Sequence, residues 1–267
     1  MMTFAAELEL ISAAAHEAAR IALDYRARGL TVRSKPGGSP VTDGDLAVDA
    51  FLKAELMRAR PGYGWLSEET PDTIERLRAR RVFIVDPIDG TTAYISDQPW
   101  FVIAVAVVEA GRPVAGVIHA PVLDEHYTAI AGGGATLNGN PIRASDTDML
   151  EGSAMAGDPR LFRSPRWPQP WPEDMQVAQR NALAYRMAAV AAGAFDAAVS
   201  LGWKNDWDVA AGDLIAREAG ARSTDPLGRP LVFNSPRARN PGLVCAAPRL
   251  HPLILARTAP IDLPADA

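Results

Sequence analysis

Two carboxylates, Asp86 and Asp89, close the apolar run Val82-Phe83-Ile84-Val85 at a point where chemistry could be done. Pro87 between them fixes its own φ and has no N–H, so the strand is expected to stop there; Asp89-Gly90 then reads as a tight turn. A helix opening at Thr91 would aim unpaired N–H groups at the same point and favour an anion beside the acids. Two further acids hold comparable positions. Glu68 follows the short apolar entry Trp65-Leu66, and Asp208 stands at the start of a helical pattern that runs to Ala219-Gly220. Strand ends are where open sheets keep their sites. Carboxylates gathered in one place need a cation, and Mg²⁺ prefers oxygen ligands, keeps waters and bridges to phosphate. Two such ions about 3.5–4 Å apart can acidify a water and stabilise a leaving oxygen, so hydrolysis of a phosphate ester is the expected reaction.

Each acid also has a plain structural explanation when taken alone. Asp43 and Asp45 lie just before the helical stretch Leu46 to Leu52, where aspartate caps orphan N–H groups and complements the helix dipole. Asp208 reads equally as an N-cap. The pair Glu68-Glu69 could be solvated surface. Only the common placement of the four acids argues for a site.

The elements that must position them come next. With 267 residues and 48% hydrophobic content, the chain has enough material for one large or two small domains with an ordinary core. Leu8 to Tyr25 has helical spacing with a stop at Gly29, and the segment from Ser34 to Pro40 has loop composition. Strands are expected within Trp100 to Glu109, Val114 to His119 and Glu125 to Ile130, the first two joined through Ala110-Gly111-Arg112-Pro113. The glycines 132 to 134 lead to Asn138-Gly139-Asn140-Pro141, which is turn chemistry and not a dinucleotide fingerprint. A border is expected around Ser145 to Gly152, and Ser164 to Glu173 reads as a mobile site edge or a surface loop packing its tryptophans. Beyond it, Asn181 to Ala198 reads as a helix broken near Gly193, and Asp196 to Leu201 as a strand. A last strand around Leu243 to Ala246, a short helix near Pro252 to Arg257 and fraying after Pro260 complete the chain.

Composition sets limits on function. A net charge of −5 argues against a broad nucleic-acid or anionic-membrane surface. The single cysteine, Cys245, excludes an internal disulfide and reads as a buried strand residue. No stretch approaches the ~20 apolar residues of a membrane span, and the N-terminus lacks a basic region followed by an apolar block, so a cytoplasmic enzyme is expected. His16, His119, His126 and His251 are dispersed, leaving any metal to oxygen ligands.

The segment Asp86-Pro87-Ile88-Asp89-Gly90-Thr91-Thr92 resembles the signature of the inositol monophosphatase family. These are metal-dependent, lithium-sensitive phosphatases that include bacterial 3'(2'),5'-bisphosphate nucleotidases of the CysQ type. The similarity runs nearly end to end. Ser39-Pro40-Val41-Thr42 with Asp45 resembles the family's early segment, and Ser67-Glu68-Glu69-Thr70 its Gly-Glu-Glu-Ser. Trp207-Asp208-Val209-Ala210-Ala211-Gly212 with Glu218-Ala219-Gly220 resembles its second signature, and Gly134-Ala135-Thr136-Leu137-Asn138-Gly139 its Gly-Ala-Phe-x-Asn-Gly hairpin.

The resemblance implies a layered α/β sandwich of the sugar-phosphatase type, α-β-α-β-α. An α+β half over 1–148 would carry most metal ligands, and an α/β half over 149–267 would add Asp208 and substrate contacts. It implies two or three Mg²⁺ per site, with Glu68, Asp86 and the Ile88 carbonyl on the first ion and Asp89 and Asp208 joining Asp86 on the second. Asp45 and Thr91, counted with Glu68 as catalytic, would handle the proton of the attacking water, and the N–H groups of Gly90 and Thr91 would hold phosphate. Asp89 and Asp208 would also face the substrate. Glu69 is either behind the ligands or a surface acid.

Departures from the family pattern fall on the substrate. Asn181-Ala182-Leu183-Ala184 stands where inositol monophosphatases have a Gly-Thr-Ala-Ala-like helix start, and Ser200 or a neighbour stands for the ring-binding glutamate. Lys204 could meet a second phosphate, or be a solvated loop lysine. The expected activity is Mg²⁺-dependent hydrolysis of an inositol monophosphate or 3'-phosphoadenosine 5'-phosphate by direct attack of metal-activated water, in a homodimer without nucleic-acid or membrane partners. A fructose 1,6-bisphosphatase-like activity, or binding of a phosphorylated metabolite without turnover, is the alternative.

Overall fold

The helical spacing of Leu8 to Tyr25 becomes α1 (Ala5–Arg28), which ends where Gly29 takes φ 92°. The computed structural model describes residues 4–261. The fraying expected past Pro260 therefore falls almost wholly outside the described residues. The Ser34 to Pro40 segment is not all loop, because β1 (Val32–Ser34) and β2 (Pro40–Thr42) pair antiparallel around its turn. Thr42 then caps α2 (Asp43–Ala59) in a reciprocal capping box with Asp45.

The first sheet is built from β3 (Gly64–Ser67), β4 (Arg81–Asp89), β5 (Val102–Glu109), β6 (Arg112–Ala120), β7 (Glu125–Ile130), β8 (Ala135–Leu137) and β9 (Asn140–Pro141), in that spatial order. Between β4 and β5 lies a short helix, α3 (Thr91–Ile95). Only β3 and β4 run parallel. The expectation that the strand stops at Pro87 is corrected: β4 continues to Asp89. Asp86 faces Ala104 while Asp89 faces Val102, so three steps on β4 match two on β5. The missing N–H of Pro87 falls inside this bulge, where the ladder is already interrupted. The bulge turns the end of β4 toward the site.

The second sheet has the order β11-β10-β12-β14-β13, formed by β10 (Ala154–Ala156), β11 (Gln176–Ala178), β12 (Ala197–Asn205), β13 (Arg222–Thr224) and β14 (Arg239–Ala246). The helices are α4 (Pro159–Phe162), α5 (Leu183–Ala191), α6 (Asp206–Glu218) and α7 (His251–Thr258). Helix α5 ends before Gly193, whose φ of 72° cannot continue a helix, and it begins after Asn181. Lys204 is on β12 opposite Asn240, not on a loop. The tryptophan-rich segment packs inward, with Trp167 and Trp171 buried against Phe162.

Alternation along the strands produces five layers. Phe83, Val85, Val105 and Val117 pack with α1 and α2. Val82, Ile84, Ala104 and Ile118 face α5 and α6, which meet Ala198, Leu243 and Cys245 of the second sheet. Val199, Val244 and Ala246 face the outer layer with Phe162, Trp167, Trp171 and Ile254. This is the expected α-β-α-β-α order, and Cys245 is fully buried. Among the described residues no helix is long and apolar enough to cross a membrane.

Three of the four histidines are not dispersed in space. His119 and His126 are cross-strand partners, and His16 of α1 lies over both. Their separation in sequence says nothing about a helix crossing a hairpin.

The middle layer depends on close approach. A Cβ on Gly212 of α6 would lie 2.7 Å from Met187 Cβ of α5. Gly212→Val is expected to cost about 1–3 kcal/mol through overpacking, lowering the urea midpoint at constant m-value. An unchanged midpoint would show that α5 and α6 pack more loosely.

Candidate active site

The bulged end of β4, the opening of α3, the residues past β3 and the start of α6 meet at one pocket. Glu68, Asp86, Ile88, Asp89 and Asp208 line it with Gly90, Thr91 and Asn181, and Ser39 and Pro40 of the β1–β2 hairpin close one side. Asp45 stands behind Thr91, whose Oγ donates to Asp45 Oδ1 at 3.1 Å and approaches the Ile88 carbonyl at 3.3 Å. Lys204 does not line the pocket, although its charge reaches Asp208 and lowers that carboxyl's pKa against burial. Ser200 is on β12, outside the lining.

Of the acids read above as caps, Asp45 and Asp208 accept backbone N–H groups at helix starts, and Asp208 also lines the pocket. Asp45 Oδ2 accepts from Thr42 N at 2.8 Å, leaving Oδ1 for Thr91. Asp208 Oδ2 accepts from Asn205 N at 2.9 Å. Asp89 is held from the other sheet's side: Leu183 N and Ala184 N donate to its two oxygens at 3.1 and 2.6 Å, so a first-sheet carboxylate caps α5. Glycine suits position 90 because its φ of 87° turns the chain from β4 into α3, and a Cβ there would come within 2.9 Å of Ala182.

Lys35 is a residue that sequence reasoning missed. Its Nζ donates to Glu68 Oε1 at 2.7 Å and to Glu69 Oε1 at 2.6 Å. A lysine in a Gly/Pro-rich segment carries no signal of its own; only the hairpin brings it over the acids. Glu69 is not a surface acid, since its side chain is 5% exposed. On the rim, Trp100 Nε1 donates to Asn181 Oδ1 at 2.6 Å, and the Arg180 guanidinium lies 4.5 Å above the Trp100 ring. The glycine turn at 132–134 holds an internal acid, with Gly132 N and Gly134 N donating to Glu218 at 2.9 Å each.

Burial and mutual repulsion raise the acids' pKa values. Burial, then Glu68 and Asp89, push Asp86 well up. Burial and Asp208 lift Asp89 to about 7 despite its two backbone bonds, and burial and Glu68 lift Asp208 to about 6. Burial raises Glu69 to about 7 against Lys35, and it also raises Asp45. Asp86 Oδ1 is buried without a hydrogen-bond partner. An orphaned carboxylate oxygen among desolvated acids fits a hard divalent cation, which supplies charge and takes oxygen ligands.

Acids gathered at a bulged strand end beside a helix start, in a layered α/β sandwich, make a pocket suited to a cation and a phosphate ester. The profile of the inositol monophosphatase family matches residues 5–262. An inositol-1-monophosphatase of Rhizobium meliloti (strain 1021) is 36% identical over 220 residues, 78% of this chain and 81% of that protein. The 3'(2'),5'-bisphosphate nucleotidase CysQ of Aggregatibacter actinomycetemcomitans is 32% identical over 225 residues, 78% of this chain and 80% of its own. Among solved structures, the extragenic suppressor protein suhB of Bartonella henselae superposes with TM-score 0.81 at 28% identity, covering 96% of this chain and 99% of that one. The chain belongs to the inositol monophosphatase family and is a phosphoric monoester hydrolase.

The raised pKa values fix a sign for stability. Asp86, Asp89 and Asp208 hold protons in the folded state that the unfolded chain has released, so their contribution is full below about pH 4 and is lost as pH rises toward 7. In chelator, this contribution to Tm is expected to fall between pH 5 and 8. A divalent cation is expected to raise Tm by an increment that grows over the same interval, as binding ceases to compete with protons. Differential scanning calorimetry reads both; an increment that shrinks with pH would overturn this account.

Proposed function

We propose that the pocket hydrolyses a small phosphomonoester, an inositol monophosphate or 3'-phosphoadenosine 5'-phosphate, with Mg²⁺ as its metal. The observation that carries this is the orphaned, buried Asp86 Oδ1 among acids whose pKa values burial and repulsion raise. Glu68, Asp86, the Ile88 carbonyl, Asp89 and Asp208 would hold two or three ions. Bound ions supply charge for the phosphate oxygens and acidify water.

The chain's own residues manage the rest. As the water oxygen bonds to phosphorus, its proton passes to Thr91 Oγ and the Thr91 proton passes to Asp45 Oδ1. The 3.1 Å contact supports this relay, and the upward pKa shift of Asp45 makes its carboxylate a stronger base. The Gly90 and Thr91 N–H groups bind phosphate oxygens, and the ester oxygen leaves as an alcohol, protonated from solvent. Asp89 and Asp208 face the leaving group. Asn181, fixed by Trp100, contacts it from the rim, while Lys204 adds positive potential beside Asp208. The names of the Rhizobium meliloti and Aggregatibacter actinomycetemcomitans relatives, an inositol-1-monophosphatase and a 3'(2'),5'-bisphosphate nucleotidase, support these two classes of substrate.

Phosphate release is to be measured on inositol phosphates, adenosine 3',5'-bisphosphate and sugar phosphates, with and without Mg²⁺ and with Li⁺. Activity is expected only with Mg²⁺ and to fall in Li⁺. Asp86→Asn is expected to lose about 100-fold or more, since altering partners one shell further out already costs 10–100-fold. Thr91→Ala is expected to lose about 10²–10⁴-fold in kcat. Full activity in chelator, or an undiminished Asp86→Asn enzyme, would sink the mechanism. No release from any compound would favour binding without turnover for this panel.

A further inference from the structure

We propose that His16, His119 and His126 form a second metal site, separate from the carboxylate pocket, that takes a borderline-soft divalent d-block cation such as Zn²⁺. One candidate ligand nitrogen from each histidine lies within 4.8 Å of the others. The site has two fixed members and one adjustable member. His119 and His126 pair across β6 and β7 on the face that packs against α1, whereas Asp86 lies at the end of the row facing α5 and α6. None of the three histidines lines the carboxylate pocket.

Hydrogen bonding leaves lone pairs in suitable positions. His119 Nδ1 lies 3.2 Å from the Glu125 carbonyl, an acceptor only, so the proton is on Nδ1 and the Nε2 lone pair is available. A backbone carbonyl that fixes the tautomer in this way is the usual outer partner of a metal-binding histidine. His126 Nε2 lies 3.2 Å from Ser12 Oγ, while His126 Nδ1 is buried without a partner. An orphaned imidazole nitrogen in an interior costs free energy that an apolar side chain would avoid, and a cation would satisfy it. His119 is buried and His126 half-buried, surroundings that favour the neutral imidazole, the form that ligates.

His16 supplies access. It is exposed on α1, with its ring 4.2 Å from that of His126 and 4.5 Å from that of His119. Tetrahedral coordination with bonds of 2.0–2.1 Å needs nitrogens about 3.3 Å apart. Small side-chain rotations must close the gap from 4.8 Å, and His16, exposed on α1 and stacked on His126, has the most room to turn. A set of three imidazoles selects against Mg²⁺, which keeps to oxygen. The bound ion would pin α1 to the β6–β7 hairpin and so stabilise the folded chain by linkage.

The test titrates the purified full-length chain, stripped of metal and kept in millimolar Mg²⁺, with Zn²⁺ by calorimetry and with Co²⁺ by visible absorption. Wild type is expected to bind one ion with the intense d–d band of tetrahedral Co²⁺. His16→Ala and His126→Asn are expected to bind it at least about tenfold more weakly and to lose the band, while keeping Mg²⁺-dependent phosphatase activity. His16 is exposed, so His16→Ala carries the test even if His126→Asn does not fold. Asp86→Asn is expected to keep the Zn²⁺ affinity. Equal affinities in wild type and His16→Ala, or loss of the ion in Asp86→Asn, would overturn the proposal, the latter by assigning the ion to the carboxylate pocket.

Discussion

Repulsion among Glu68, Asp86, Asp89 and Asp208 is the constraint on which the architecture around the pocket depends. Two like charges 4 Å apart at an effective dielectric of about 20 oppose each other by roughly 4 kcal/mol, and this pocket gathers four acids between two sheets. The chain offsets part of that cost with its own groups. Lys35 sets one positive charge against Glu68 and Glu69, the start of α5 donates twice to Asp89, and Asn205 N donates to Asp208. Asp86 Oδ1 receives nothing. The chain's own donors therefore leave the centre of the cluster, at Asp86, uncompensated, which is where the proposed cation would contribute most.

The same geometry explains why capping and catalysis could not be told apart residue by residue. A helix start offers N–H groups that hold one carboxylate oxygen and leave the other free. Asp45, Asp89 and Asp208 all accept backbone N–H groups there; Asp89 and Asp208 also line the pocket, whereas Asp45 meets it through Thr91. Capping therefore fixes where the carboxylate sits, and for Asp208 the structural and the functional reading describe two oxygens of one side chain.

Legibility followed the range of the interactions. The run Val82 to Val85, the β5–β6 hairpin and the α1 spacing are set by local pattern, and the sequence shows them. The continuation of β4 through Pro87 was not legible, because it depends on β5 tolerating a bulge. Nor were β10, β11 and β13, each of three residues and held by pairing with distant strands. The segment carrying Lys35 reads as loop until β1 and β2 pair across it. For the pocket, the types and neighbourhoods of the four acids were visible, but the assignment of their partners rested on resemblance. His16, His119 and His126 illustrate the limit: more than a hundred residues separate the first from the others, and only the crossing of α1 over β6 and β7 unites them.

In the proposed site, the groups assigned to the reaction and those assigned to the substrate sit on different parts of the chain, and the fold gives the division a structural cause. The acids and Thr91 hang on the buried ends of β3 and β4 and on helix starts, where register and capping leave little freedom. The rim is made by the segment before α5, where Asn181 is fixed by a side-chain bond to Trp100 and Arg180 rests on the same ring. Ala182 there approaches Gly90, and Leu183 and Ala184 donate to Asp89, so the backbone of this segment is tied to the carboxylate cluster while its side chains are freer to vary. Asn181-Ala182-Leu183-Ala184 can therefore depart from the pattern seen in inositol monophosphatases while Asp89 keeps its cap. A change of leaving-group preference needs no change in the buried strand that carries Asp86.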